Sequence, residues 1–341
     1  MTNLTQANRE LFRRRDDERF PDLDALARFC REQKQQSVDR WHPPQKLRAV
    51  SRDDNLALAI GDDGEFALNA WSFGQLCGLA HVARDTVNRL RPETATRVFA
   101  DTLPYGQKPL QLLTSSSHVR SIHGVSYTRL HNIDVVNLAR EVATDFMPPQ
   151  AGMNGATGLY AGEEDMFCFL IDPTGWAEIG DQAFAPGFFL WNSEVGKRSV
   201  GISTFWFQAV CQNHIVWDAI DVVELTRKHT ANVGNVLTDI RRTIDSLVAR
   251  RDERRDGFVR VIGKAMKERL GSDADEVLKE LSKNGIPRNL AKEALEIARQ
   301  QGAFTIFSLV DALTRLGGRV QNAGDRLDID AKAAQLLMLA A

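Results

Sequence analysis

MFCFLI, residues 166–171, is an unbroken run of apolar side chains that ends in the turn sequence DPTG, residues 172–175. Short apolar runs that are rich in aromatic and β-branched residues and bounded by turn residues are typical of β-strands. Similar runs follow at 188–191 and 200–207, with a shorter one at 209–211. The sequence therefore predicts an aromatic-rich sheet in the middle of the chain.

The chain before this sheet alternates between helix and strand patterns. Residues 6–36 predict two amphipathic helices that are separated at Pro21 and end at the sequence WHPP, residues 41–44. Further patterns predict, in order, strands at 47–50 and 55–60, a turn at 61–64, a strand at 65–68, helical structure at 72–102, strands at 110–113 and 119–130, and a helix from Asn132 or Asp134 to about 145.

Beyond the sheet the pattern becomes helical from Ala219 onward. Residues 258–341 predict a helical subdomain whose helices are separated by glycine-containing breaks. Residues 148–162 contain two prolines and four glycines, which predicts a loop or linker. We expect an α+β fold with a central, mostly antiparallel sheet, a helical N-terminal segment and a helical C-terminal subdomain. The predicted regions are a helical and hairpin extension (1–60), an α+β core domain (61–220) and a C-terminal helical region (221–341).

Composition limits the classes of partner. The chain has 341 residues, with 43 Lys and Arg against 45 Asp and Glu, so its net charge of −2 provides no overall attraction to nucleic acid or to anionic membranes. No apolar stretch has the length of a membrane helix, and the first residues lack the apolar core of a secretion signal. The four cysteines are scattered in apolar surroundings, as is typical of reduced, buried thiols. We expect a cytoplasmic protein with no membrane partner.

Charge is distributed unevenly along the chain. Residues 102–133 contain no carboxylate but include Lys108, Arg120 and Arg129, together with three histidines. Residues 160–194 show the opposite pattern, with seven carboxylates and no lysine or arginine. This contrast predicts a basic face and an acidic face.

The common phosphate-binding motifs are absent from the sequence. A phosphate loop requires the pattern GxxxxGK followed by Ser or Thr, and Gly196 to Ser199 fails because Trp191 replaces the first glycine and Arg198 separates Lys197 from the hydroxyl residue. The glycines at 152, 155 and 158 neither follow a strong strand nor open a helix, so they do not form a dinucleotide fingerprint. A flexible loop explains them better.

The sequence also gives little support for a metal site or for a catalytic nucleophile. His118, His123 and His131 form the densest histidine cluster, but an extended strand over 119–131 would hold His123 and His131 too far apart to share an ion. Cys211 lies near His214, yet a strand would direct their side chains apart, which favours a buried thiol. We expect no metal, no cofactor and no identified catalytic residue.

Residues 75–90, QLCGLAHVARDTVNRL, have the apolar spacing of a helix-turn-helix, with Arg84 to Arg89 as the recognition helix. Duplex binding through residues 72–90 is therefore one hypothesis. Against it, His81 occupies the turn position where glycine is usual. Two short helices that pack on a sheet would give the same spacing.

The acid-free strand suggests a different nucleic-acid contact. Arg120 and Arg129 could bind phosphates while Tyr127 offers a surface on which bases stack. In the alternative interpretation Arg120 pairs with a core carboxylate, Glu194 being the candidate partner, and Tyr127 fills the edge of the sheet.

Three stretches resemble the phage/plasmid-like protein family with domain of unknown function 932. They are VRSIHGVSYTRLHNID (119–134), WNSEVG (191–196) with VCQN (210–213), and His229 followed by a helical tail that contains FSLVDALT (307–314). The resemblance covers roughly residues 65–320 and implies a protein of bacterial phages, plasmids and integrated elements. It also implies that 72–90 is a helical segment of the family. The recurring polar positions are Arg120, Ser126, Tyr127, Asn132, Ser193, Glu194, Gly196, Cys211, Asn213 and His229.

The leading hypothesis is a nucleic-acid-binding accessory protein of a bacterial mobile element, with single-stranded DNA in replication or recombination as the favoured ligand. Its expected nucleic-acid contacts are Arg120, Tyr127, Arg129, Lys197 and Arg198. The candidate contacts for any other ligand are Ser193, Glu194, Asn213 and His229. The alternatives are a hydrolase-like enzyme that uses Glu194, His229 and Cys211, and the duplex binder. A homo-oligomer is compatible with each.

Overall fold

The computed structural model describes residues 19–52, 55–149, 158–180, 182–208, 214–217, 224–300, 302, 304–319, 333 and 335–340. For 214–217, 224 and 317–319 it describes the backbone alone. The fold is α+β, as predicted, and its sheets are mostly antiparallel. The described strands form two sheets rather than one central sheet.

The helices are α1 (Leu23–Gln35), α2 (Ala70–Leu79), α3 (Arg84–Val87), α4 (Pro92–Thr102), α5 (Asn132–Val142), α6 (Val236–Ala249), α7 (Arg251–Ala265), α8 (Ala274–Lys283), α9 (Arg288–Gln300) and α10 (Ile306–Arg319). The strands are β1 (Ser37–His42), β2 (Leu47–Arg52), β3 (Asn55–Ile60), β4 (Glu65–Leu68), β5 (Leu110–Ser115), β6 (His118–Gly124), β7 (Leu159–Ala161), β8 (Met166–Ile171), β9 (Ala177–Ile179), β10 (Gln182–Asn192), β11 (Val200–Gln208), β12 (His214–Trp217) and β13 (Glu224–Arg227).

The first sheet has the strand order β1-β5-β6-β4-β3-β2, and β4 with β6 is its one parallel pair. Its outer strands β1 and β2 are joined by only four residues, 43–46. Arg40 and His42 of β1 both contact the carboxylate of Asp63 in the β3–β4 turn, at 3.1 and 2.7 Å. The sheet therefore curls until its first strand reaches that turn. Helices α2 to α4 cover its apolar face, where Leu76 and Phe99 pack in one core with strand residues such as Leu112.

The second sheet has the order β12-β11-β10-β8-β7, while β13 also pairs with β11 and β9 with β10. Side chains alternate between its faces, as strand geometry requires. Cys168 and Leu190 lie on the face covered by α1, α5 and α6, whereas Phe169, Phe189 and Trp191 belong to an aromatic cluster on the other face. The run MFCFLI is buried throughout because both faces of β8 are covered.

Two glycines make room for this aromatic cluster. In the pairing of β10 with β11, Gly187 lies opposite Phe205 and Gly201 lies opposite Trp191. A Cβ added at Gly187 would lie 2.5 Å from the Leu170 carbonyl oxygen and 2.7 Å from the Phe205 ring. A Cβ at Gly201 would overlap the Trp191 ring and the Leu225 carbonyl oxygen. The glycines therefore allow the rings to lie across the neighbouring strand.

We expect Gly201→Ala to lower the free energy of unfolding by about 1–3 kcal/mol or more, because the new methyl group overpacks a fixed ring and a backbone oxygen. Gly263→Ala is the matched control, since Gly263 lies within α7 and a Cβ there meets no atom within 4 Å. In the control, alanine should raise stability by about 0.5–1 kcal/mol through helix propensity. Urea unfolding followed by circular dichroism measures both changes, and a neutral Gly201→Ala would contradict the packing described here.

The C-terminal helices α7 to α10 build a separate apolar core and attach to one end of the second sheet. The attachment is aromatic, because the Phe258 ring of α7 stacks on Trp206 of β11 with ring centroids 3.9 Å apart. Phe258 also meets Phe184 of β10 edge-on. The predicted helical subdomain is therefore present and is anchored to the second sheet.

Several boundaries differ from the sequence predictions. The limit placed at residue 60 falls between β3 and β4, which pair with each other, so strands β1 to β3 belong to the first sheet rather than to an extension. Residues 37–42 form strand β1 rather than the end of a helix, because they pair with β5, about 70 residues further along the chain. Strand β13 likewise lies in the region predicted to be helical after Ala219. The first of the two predicted N-terminal helices lies largely outside the described residues.

The strand predicted at 119–130 ends early. Strand β6 stops at Gly124, and the N–H of Tyr127 donates to the Gly124 carbonyl oxygen at 3.1 Å in a turn. The alternation of side chains assumed for 125–131 therefore does not apply. Within the predicted loop at 148–162, residues 159–161 form strand β7, and 150–157 lie outside the described residues.

Candidate functional site

The turn between β10 and β11 joins the two sheets, and Ser193 to Gly196 contact residues of the first sheet. Gly196 has φ of +73°, a conformation that glycine adopts without strain. A Cβ at this position would lie 2.6 Å from the His123 ring and 3.0 Å from the Tyr127 ring. The indole N–H of Trp71 in α2 donates to the Val195 carbonyl oxygen at 2.8 Å. This inter-sheet turn contains two of the predicted ligand-contacting residues, Ser193 and Glu194.

A buried ion pair lies at the centre of the turn. The guanidinium of Arg120, on β6, donates to Glu194 Oε2 at 2.9 Å, and the two residues are only 2% and 1% exposed. The same guanidinium donates to Ser37 Oγ at 3.1 Å and to the Glu163 carbonyl oxygen at 3.4 Å. This arrangement corresponds to the alternative interpretation, in which Arg120 pairs with a core carboxylate.

Glu194 also caps helix α5 from across the inter-sheet contact. His131, the N-cap residue, supplies no side-chain cap, and the N–H of Asn132 instead donates to Glu194 Oε1 at 2.8 Å. A carboxylate is favourable here because the N-terminus of a helix carries partial positive charge. Burial alone would raise the pKa of Glu194, but the adjacent His131 ring, the Arg120 charge and the Asn132 N–H lower this pKa to about 2. Glu194 therefore remains ionised in the fold.

Arg129 is also held by acceptors of the same chain. Its Nη2 donates to Asp39 Oδ1 at 2.9 Å, and its Nη1 donates to the carbonyl oxygen of Glu194. The guanidinium carbon lies 5.4 Å from the centroid of the Tyr127 ring, within the range of a cation–π contact. Arg129 thus links β1 with the inter-sheet turn.

Three aromatic rings form a stack beside this arginine. The Tyr127 ring lies between His123, with centroids 3.7 Å apart, and His229, with centroids 5.3 Å apart. The Tyr127 hydroxyl donates to the Glu194 carbonyl oxygen at 2.9 Å, so this ring is fixed at both faces and at its tip. Bases therefore have no free Tyr127 face on which to stack.

Both histidines of the stack favour the neutral form. Burial and then the charge of Arg129 lower the pKa of His123 to about 4, although a contact with the Val195 carbonyl oxygen opposes the change. Burial likewise lowers the pKa of His229 to about 4, with the Arg129 charge acting in the same direction. His229 is 7% exposed, and neither of its ring nitrogens has a hydrogen-bond partner among the described residues.

The remaining two predicted cations are paired as well. Lys197 Nζ contacts Glu164 Oε2, and Arg198 Nε lies 2.5 Å from Asp165 Oδ2. Ser193 Oγ donates to the Glu164 carbonyl oxygen at 2.5 Å and accepts from the Lys197 N–H at 2.9 Å. Ser193 therefore fixes the backbone of the turn.

The uneven charge of the sequence has a structural explanation. The acid-free stretch 102–133 supplies Arg120, and the acidic stretch 160–194 supplies its partner Glu194. The two stretches meet at the inter-sheet contact through this buried pair, whereas Lys108 and Glu178 remain exposed. Of the five nucleic-acid contacts predicted from sequence, four are arginines or lysines that face carboxylates of this chain, and the fifth, Tyr127, is stacked internally.

The residues of the enzyme hypothesis do not form a catalytic set in the described chain. Glu194 is occupied by Arg120 and Asn132, and Cys211 and Asn213 lie outside the described residues. Within the part of the chain that the structure covers, no group of three or more His, Cys, Asp or Glu side chains is placed to hold a metal ion. No helix in that same part is long and apolar enough to cross a membrane.

The helix-turn-helix segment folds as two helices, α2 and α3, but α3 spans only Arg84–Val87. Val87 is buried in the core beneath the first sheet, together with Leu76. His81 takes a positive φ of 54°, the conformation for which glycine is usual. A recognition helix of one turn is shorter than major-groove readout by a helix-turn-helix requires. This is the arrangement of short helices packed on a sheet.

Exposed residues that sequence reasoning did not single out lie elsewhere on the first sheet. Among the described aromatic side chains, Trp41 and Tyr105 stand out as highly exposed, at 49% and 89%. Lys46 and Lys108 are exposed near them in the sequence. The usable signal was that residues 40–52 carry no carboxylate and contain a tryptophan.

Comparisons of the chain with protein-family models, with curated proteins and with solved structures find no match. The resemblance to the phage/plasmid-like family rests on the three stretches quoted above.

Proposed function

We propose that the protein binds single-stranded nucleic acid through one end of the first sheet, a surface formed by Trp41, Lys46, Tyr105 and Lys108 and called here the aromatic end. The observation that carries the proposal is the exposure of two aromatic rings and two lysines on segments that strand pairing brings to one end of the sheet. Proteins bind single strands without sequence preference by stacking bases on such rings while cations follow the backbone.

The pairing of strands brings these residues together. Trp41 of β1 is aligned with Gln111 of β5, and its neighbour His42 is aligned with Leu110, the first residue of β5. Lys108 and Tyr105 precede Leu110 in the connecting loop. The N–H of Gly106 donates to Gln45 Oε1 at 3.2 Å, which ties this loop to the β1–β2 link that contains Lys46.

The charge of this surface is available to a ligand. Neither Lys46 nor Lys108 forms an ion pair with any carboxylate in the described residues, whereas Arg40 and His42 are occupied by Asp63. The net charge of −2 makes any attraction of nucleic acid local. Two lysines beside exposed rings provide such a local site.

The resemblance to the phage/plasmid-like family favours a role in a bacterial mobile element. We propose that the protein acts there as an accessory factor that holds single strands during replication or recombination. This setting rests on the resemblance alone, whereas the binding surface rests on the exposed residues.

Binding of a fluorescently labelled oligothymidine, followed by anisotropy, tests the proposal. Trp41→Ala and Tyr105→Ala should each weaken binding about 5-fold to 100-fold, because a base stacked on an aromatic ring contributes about 1–3 kcal/mol. Lys46→Ala with Lys108→Ala should reduce the slope of log affinity against log salt by about 0.7 for each lost phosphate contact.

Two substitutions far from the aromatic end serve as controls. Met338→Ala removes an exposed apolar side chain and Lys292→Ala removes an exposed cation of α9, so neither should change binding. Absence of binding at low salt, or equal affinity for the aromatic-end and control variants, would contradict the proposal. Tighter binding to a duplex probe that depends on Arg84 and Arg89 would favour the duplex hypothesis instead.

A further inference from the structure

A cleft of about 790 Å³ opens between the first sheet and the helices that cover it. It lies where β2 and β4 end and where β3 and β6 begin. The aromatic end is at the opposite end of these strands, because Lys46 precedes β2 whereas Arg52 ends it. The cleft is therefore a different site from the proposed strand-binding surface.

The side chains around the cleft are predominantly basic and neutral. Arg52, Arg84 and His118 line it, and none of the described lining residues carries a carboxylate. Two carboxylates contact residues at or near the cleft without lining it. Glu163 accepts from the amide of Asn69 at 3.4 Å, and Glu93 lies 3.5 Å from Ser51 Oγ. The described lining therefore favours an anion.

Arg84 is the central cation of this site. It is the first residue of α3, on the segment that resembled a recognition helix, and its guanidinium approaches Gly74 on α2. Arg84 makes no ion pair with a carboxylate among the described residues. His118 begins β6, and its Nδ1 lies 3.3 Å from Ser117 Oγ.

The rest of the lining is suited to an organic group. Phe73, Leu56 and Leu90 contribute apolar surface, and the amides of Asn55 and Asn88 add polar groups beside it. Small-molecule sites have volumes of about 300–1,000 Å³, and this cleft falls in that range. Its lining exposes more polar than apolar surface, which suits an anionic, polar ligand with a smaller flat part that lies against Phe73.

We propose that this cleft binds a phosphate group carried by an organic molecule of the size of a nucleoside monophosphate. Arg84 and His118 hold the phosphate, because a guanidinium forms paired, charge-assisted hydrogen bonds to phosphate oxygens. Phe73 offers its ring to the base. The same phosphate chemistry occurs in a free nucleotide and at the terminus of a nucleic-acid strand, and the experiment separates these sources.

Calorimetric titration of the full chain with AMP tests the proposal, with adenosine and inorganic phosphate as partial probes. AMP should bind more tightly than either, and Arg84→Gln should weaken it at least about 10-fold. Arg89→Gln is the matched control, because Arg89 is an exposed arginine five residues along the same segment and does not line the cleft. Unchanged melting temperatures would show that both variants fold.

The sources are distinguished by competition. If AMP binds without displacing labelled oligothymidine, the ligand is a free nucleotide. If AMP displaces the oligothymidine and Arg84→Gln abolishes this displacement, the ligand is a strand phosphate. Both results support the phosphate site. AMP binding that survives Trp41→Ala separates this site from the aromatic end. Equal affinity of the Arg84→Gln and Arg89→Gln variants, or no AMP binding, would overturn the proposal.

One further outcome is decisive because of the neighbouring sequence. Asp53 and Asp54 follow Arg52 directly and lie outside the described residues. Binding of Mg²⁺ without binding of AMP would indicate that the cleft is acidic rather than basic. That result would also overturn the proposal.

Discussion

Glu194→Gln is expected to lower the free energy of unfolding by about 3–5 kcal/mol, because it leaves the Arg120 charge buried without its partner. The glutamine is nearly the same size as the glutamate, so packing is preserved. Its amide oxygen can still accept the Asn132 N–H that Glu194 accepts now. The expected loss therefore reports on the ion pair rather than on the helix cap or on a cavity.

A second variant separates the pair from its surroundings. Arg120→Met combined with Glu194→Gln removes both charges, keeps an acceptor for the Asn132 N–H and should recover much of the loss, since removing a whole buried pair is often close to neutral. Urea unfolding gives the free energy of each variant, and a double-mutant cycle gives the coupling.

The matched control is the exposed pair of Arg140 with Asp24, whose oxygen lies 2.5 Å from the guanidinium. Asp24→Asn should change stability by less than about 1 kcal/mol, because solvent screens exposed charges. If Glu194→Gln were as mild as this control, the Arg120–Glu194 pair would not hold the two sheets together as described.

The sequence predicted the central strands β8, β10 and β11 of the second sheet and the C-terminal helices well because their signals are local. MFCFLI forms a strand with both faces covered. Its run of apolar residues predicts a strand without any knowledge of the residues that it contacts elsewhere in the chain. The helical periodicity after residue 258 is likewise a local property, and α8 and α9 follow it. A local sequence pattern predicts the folded structure correctly when tertiary packing favours the same secondary structure.

The candidate site was harder to predict because its partners are distant in sequence. Arg120 and Glu194 are 74 residues apart, and the contrast between acid-free and acidic stretches does not reveal whether two charged segments face solvent or each other. The contact depends on how the two sheets are placed, which no local periodicity encodes. The resemblance drew attention to Arg120, Glu194 and His229, and the structure brings the first two into direct contact.

Strand β1 shows the same limitation. Residues 37–42, SVDRWH, show no regular apolar alternation, and they form a strand through pairing with β5. Because β1 was not predicted, the position of Trp41 was not predicted either. An aromatic residue at the end of a helix does not indicate an exposed ring on a sheet. The proposed binding surface could therefore be recognised only after the strand order was known.

Stability should also fall steeply as pH decreases from about 6.5 to 4. The pKa of His123 and that of His229 are each about 4 in the fold, whereas an unfolded histidine has a pKa of about 6.5. In this window the unfolded chain binds more protons than the folded chain, so stability rises with pH and is lost on acidification. Each histidine contributes on the order of 3 kcal/mol, at about 1.4 kcal/mol per pKa unit.

Urea unfolding at a series of pH values between 7.5 and 4.5 measures this loss. Glu194 contributes little to it above about pH 5.5, because a carboxylate with a pKa of about 2 in the fold begins to lose its stabilising effect only near its unfolded pKa of about 4.3, and the histidine slope is therefore compared between pH 7.5 and 5.5. His229→Phe keeps a ring against Tyr127 but removes one titrating group, so it should reduce the slope by up to about 1.4 kcal/mol per pH unit. His81→Asn, at an exposed position whose positive φ asparagine tolerates, should leave the slope unchanged. A slope in His229→Phe equal to that of the native chain would show that His229 is not buried in its neutral form, and the stack of His123, Tyr127 and His229 would then not be a fixed part of the inter-sheet contact.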